Sequence, residues 1–146
     1  MEPMIEYYIA QIGALAPSSR DNVDASRIVE SLGGSAKRLG EGNWSVSFSH
    51  GAFSAAAVAV ENRASIGTLR ITFHPRMPAS PLKSLSTAPS DWSPSPPLSD
   101  TGRISLTRYW FELPSKYAVS CSCVIENDID TASSPVNEIT CFVNRT

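Results

Sequence analysis

Residues 4–15 place Met4, Ile5, Tyr8, Ile9, Ile12 and Leu15 at helical spacing, and Pro17 follows as a stop. Apolar groups three and four positions apart share one helix face, so the spacing predicts a short amphipathic helix. A second helix is predicted over 21–32. Asp21 can cap it, Asp24 adds charge that suits the positive end, and Ala25, Ile28, Val29 and Leu32 form one apolar stripe. Gly33-Gly34 ends it, because glycine readily takes the backbone conformation that closes a helix.

Beyond Gly34 the period changes from helical to two. Ala36–Leu39 reads as a strand turned by Gly40-Glu41-Gly42-Asn43. Trp44, Val46 and Phe48 then alternate with Ser45, Ser47 and Ser49, the mark of a strand with one buried face. Phe53–Val60 is a further strand, and Leu69, Ile71 and Phe73 alternate with Thr68, Arg70 and Thr72. The order predicts an antiparallel meander.

Residues 75–100 interrupt it with seven of the eleven prolines and seven serines. Proline supplies no ladder donor, so the stretch reads as a long loop lying outside the sheet. Its Trp92, Leu82, Leu85 and Leu98 are apolar groups that a solvated linker does not need. The loop is therefore expected to fold back on the domain with Trp92 as its anchor.

Strands resume after it. Ile104 and Leu106 share one parity and Tyr109, Phe111 and Leu113 the other, a phase slip near Arg108 that suggests a bulge or a strand buried on both faces. Tyr117, Val119, Cys121, Cys123 and Ile125 keep strict alternation, and Ile139, Cys141 and Val143 alternate again after the polar loop 126–135. The architecture expected is one α+β domain over 1–146. Two N-terminal helices pack on one face of an antiparallel sheet of about six or seven strands, interrupted by the Pro/Ser-rich loop.

Composition narrows the function classes. The chain carries 12 Lys+Arg against 14 Asp+Glu, a net charge of −2, with 18% charged residues. That balance disfavours a broadly basic nucleic-acid binder and a highly charged disordered chain. No apolar run approaches the roughly 18 residues of a membrane span, so no membrane association is expected. Two glycosylation-type sequons, at Asn43 and Asn144, are close to the number that chance gives in a chain with 23 serines.

Three groups are candidates for chemistry. Cys121 and Cys123 point the same way along a strand, and Cys141 approaches Cys121 if 117–125 and 137–143 form a hairpin. An odd cysteine count without a secretory leader favours a reducing, cytoplasmic setting and three reduced core thiols over a cross-strand disulfide or a metal site. His50 and His74 sit at predicted strand ends, where either imidazole has the basicity of a general base. No nucleophile, zinc or phosphate-loop motif accompanies them, and no cofactor is expected. Arg38, Arg63, Arg70 and Arg108 interleave with aromatics, and on one exposed face they would suit single-stranded nucleic acid.

The remaining feature is acidic. Glu126, Asp128 and Asp130 crowd one hairpin loop, a pattern that can steer association with a basic protein surface. With no catalytic motif, the expectation is a non-enzymatic protein-binding domain, best matched by a small cytosolic inhibitor such as an immunity protein that neutralises a toxin. Trp92, Glu126, Asp128 and Asp130 are its expected partner-binding residues. The alternatives are a small hydrolase-like enzyme using His50 or His74, and a single-stranded nucleic-acid-binding module.

Overall fold

The computed structural model describes residues 3–15, 23–63, 66–95, 103–111, 113–126 and 130–145. The first helix, α1, runs Ile5–Gly13 and buries Ile5, Tyr8, Ile9 and Ile12. The second, α2, runs Ala25–Ser31. Its cap is Asp24, whose side chain accepts a hydrogen bond from the Arg27 amide at 3.3 Å; the expected cap, Asp21, lies outside the described residues. Gly33, with φ of +78°, closes the helix as expected. Gly34 serves a different need. A Cβ there would stand 2.5 Å from the Ser47 carbonyl oxygen, so the chain passes too close to its neighbour for any side chain.

Among the described residues ten strands follow: β1 (Ser35–Gly40), β2 (Asn43–Ser47), β3 (Phe53–Arg63), β4 (Ile66–Pro75), β5 (Ser80–Pro81), β6 (Ser93–Ser95), β7 (Arg103–Trp110), β8 (Tyr117–Glu126), β9 (Pro135–Val136) and β10 (Ile139–Arg145). Eight form one antiparallel sheet in the order β1-β2-β3-β4-β10-β8-β7-β6, and β5 pairs with β9 as a separate ribbon. The fold is mostly sheet with a few helices, α+β in outline. Its main sheet has one or two strands more than the alternation predicted.

The additional strand comes from the segment expected to stay out of the sheet. Ser93–Ser95 joins as β6, pairing Pro94 with Leu106 of β7. β6 is the sheet's outermost strand, where one side of the backbone needs no partner and proline is tolerated. The same segment contains β5 and a one-turn helix, α3 (Leu82–Leu85), with Leu82 and Leu85 buried. It shares the covering of one sheet face with α1 and α2.

The core lies between that covering and the inward side chains of the strands. Tyr8 of α1 packs its ring on Phe48, Phe53 and Phe73, with centroids 4.9, 6.1 and 5.3 Å away. On the strands, Val58, Ile71, Val143, Val119 and Leu106 are buried in succession across the sheet. Arg76 fastens the β2–β3 corner by donating to the carbonyls of Phe48, Gly51 and Phe53.

The predicted phase slip in β7 does not occur. Its register against β8 is unbroken, and Arg108 takes an inward position opposite Cys121. A charged residue breaks the apolar pattern there because its countercharge comes from α1. Among the described residues, no helix is long and apolar enough to cross a membrane.

Candidate functional site

Glu6 organises the covered face. Its carboxylate meets the Arg108 guanidinium at 2.6 Å, accepts the Thr87 amide at 2.8 Å, and accepts the Ser86 hydroxyl. Ser86 Oγ in turn accepts the indole N–H of Trp92 at 3.0 Å. Arg108 also reaches Asp91 at 3.5 Å and lies 4.5 Å from the Trp110 ring centroid. Trp92 packs edge-on against Trp110 and is 4% exposed. The Pro/Ser segment is therefore held by charge, hydrogen bonds and an aromatic anchor together.

The expected partner-binding residues divide between core and surface. Trp92 is buried, so it acts on any contact through the segment that it fixes. Asp130 is exposed and opens a 3-10 turn, Thr131–Ser133. That turn packs against α3 and against a second 3-10 turn, Pro89–Asp91. Asp91 is 61% exposed at its side chain, so this meeting adds an acid that the sequence reading missed. Glu126, at the end of β8, pairs with Arg103 at 3.4 Å. Asp128 lies outside the described residues.

The candidates for catalysis are not assembled. His50 Nδ1 lies 3.1 Å from the hydroxyl of its own neighbour Ser49, on the exposed surface. Among the described residues no carboxylate or cysteine joins either histidine, and no group of three His, Cys, Asp or Glu could hold a metal. The arginines do not share a face. Arg108 points inward, Arg70 points outward and pairs with Glu61 at 2.9 Å, and Arg38 lies on edge strand β1 near Trp44. The Arg63 side chain lies outside the description.

The thiols correct the expectation of three reduced groups. Cys121 and Cys141 stand directly opposite on β8 and β10, Cα atoms 4.0 Å apart, and form a buried disulfide. The odd count had no bearing, because the third cysteine is simply a core residue. Cys123 is free and buried, and burial pushes its thiol up to about 12.

Among the described residues, no element covers the second sheet face. Cross-strand pairing lines up Ser45, Ala57, Thr72, Thr140, Ser122 and Thr107 in one row from β2 to β7. Beside this row stand Tyr109 and Phe111, stacked at 5.7 Å and 59% and 67% exposed, and Val124, 52% exposed. The serines alternating with core residues in β2 carried this signal in the sequence; its continuation across the sheet needed the pairing order.

Compared with known proteins, the chain matches no protein-family model, no curated protein and no solved structure.

Proposed function

We propose that this chain is a non-enzymatic protein-binding domain, a small inhibitor of the immunity-protein kind that neutralises a toxin by occupying its surface. The observation that carries the reading is the packing of Thr131–Ser133 against Pro89–Asp91, which brings the acidic hairpin beside the anchored Pro/Ser segment. Asp130 and Asp91 then stand on irregular chain that the core holds in place. A fixed acidic surface accelerates encounter with a basic partner and penalises acidic ones. Catalysis through His50 or His74 gains no support from the geometry, and neither does a nucleic-acid surface built from the four arginines.

The expected cytoplasmic location rested on the odd cysteine count, and the Cys121–Cys141 bond removes that support. A buried bond between two core strands favours a chain that matures where disulfides form.

Site-specific photo-crosslinking in native lysate tests the binding reading. A benzophenone amino acid placed at position 130 is expected to capture a basic protein that the same group at Tyr7, on α1, does not. Capture of the same proteins from both positions, or of none, would reject the acidic end as the contact surface.

A further inference from the structure

We infer that the uncovered sheet face is a self-association surface whose occupant is a second copy of this chain, the two faces stacking as a sandwich. The inference does not rest on Asp130 and Asp91, which carry the binding reading.

Size is the first argument. Eight strands about 4.8 Å apart, between three and eleven residues long, make a face on the order of 900 Å². That is close to the roughly 800 Å² each partner contributes to a standard stable interface. Composition is the second. Serine, threonine and alanine dominate the central row, so the side chains are short enough for two sheets to approach to about 10 Å. The stacked Tyr109 and Phe111 supply exposed apolar area on one side of the row and Val124 on the other, and exposed apolar groups in such a setting mark a contact.

Charge selects the occupant. A two-fold contact sets each patch against its own copy, so unpaired charge in the middle would repel itself. From β2 to β7 the row carries none, and flanking it Arg70 is paired with Glu61 and Arg103 with Glu126. The same neutrality gives a nucleic acid or an anionic lipid surface nothing to hold. Lys37, opposite Ser45, ends the row at edge strand β1, and with the adjacent Arg38 it opposes edge-to-edge pairing of two copies. Of the two routes to a larger β-assembly, stacking is the open one.

Sedimentation equilibrium of the disulfide-intact chain, from low-micromolar to near-millimolar concentration, tests this. The expected result is a mass about twice the 15.7 kDa of one chain. Val124→Arg and Thr140→Arg should each weaken dimerisation at least about tenfold, with an unchanged circular dichroism spectrum. Tyr109→Arg, at an exposed position, serves if either variant fails to fold. Met77→Arg, exposed and outside the sheet, should leave the dimer intact. A wild-type monomer throughout the range overturns the inference and leaves the face to a different protein. A dimer that survives the face variants overturns it equally, by placing the interface elsewhere.

Discussion

Glu6 and Arg108 meet at 2.6 Å across 102 residues of sequence, each with only about a fifth of its side chain exposed. The pair joins the first helix to a strand near the far edge of the sheet. Through Ser86 and Thr87 it also holds the intervening Pro/Ser segment. Helix, strand and irregular chain thus depend on one carboxylate.

Glu6→Gln keeps the shape but turns one acceptor oxygen into an NH2 donor, so either the Thr87 amide or the Ser86–Arg108 side loses its acceptor, and Arg108 is left with Asp91 at 3.5 Å as its countercharge. Chemical denaturation should show a loss of about 2 kcal/mol, between the values for exposed and buried pairs. A double-mutant cycle with Arg108→Met should return a coupling of about 1–3 kcal/mol. Additive effects would mean that the contact carries no energy of its own.

Trp92→Ala removes the anchor that packs on Trp110 and donates to Ser86. A loss of about 3 kcal/mol is expected, with new protease cleavage confined to 75–95 before global unfolding. Unchanged cleavage there would show that α3 and the ribbon hold the segment unaided.

The disulfide closes a loop with a sequence separation of 20, for which chain entropy gives about 3 kcal/mol. Without reductant, denatured protein should expose one reactive thiol; after reduction, three. Three thiols in the unreduced, denatured protein would contradict the bond. Cys121→Ser with Cys141→Ser should lower the denaturation midpoint by the corresponding amount.

Cys123 gives a pH signature. Its folded pKa, about 12, lies above the ordinary thiol value of 9.0, so folding favours the protonated thiol. The contribution is complete below about 9 and fades as pH rises toward 12. Stability should therefore fall less steeply over that window in Cys123→Ala than in the parent chain, once other alkaline titrations are matched. Identical slopes would place the thiol in contact with water.

Asp128→Lys with Asp130→Lys tests the acidic end kinetically. Against a captured partner, the association rate should drop by about tenfold at low salt while dissociation changes little, and high salt should erase the difference. A change confined to dissociation would point to direct contacts instead of steering.

Local structure was legible where period alone decides it. The stripe Ile5, Tyr8, Ile9, Ile12 and the alternation of Tyr117 to Ile125 each name an element and its buried face without reference to anything distant. Arg108 was misread because its countercharge sits on α1, and no local pattern reports a partner so far away. The proline rule failed for Pro94 because it depends on whether a strand is central or at the edge, which is a property of the whole sheet. The closeness of Cys121 and Cys141 followed from strand parity, but their bonding did not, since it depends on oxidation. The acidic hairpin was visible as charge, while its neighbour Asp91 became part of it only through packing.

The position of β10 between β4 and β8 has a consequence for how the protein is made. Among the described strands it is the last to leave the ribosome, yet it sits in the middle of the sheet. Until it arrives, the meander β1–β4 and the group β6–β8 are two fragments, each with an unpaired edge and half a core. A nascent chain halted before Ile139 is therefore expected to be a target for chaperones and proteases. Synthesis of a few more residues joins the two halves, and the Cys121–Cys141 bond then prevents that strand from being withdrawn.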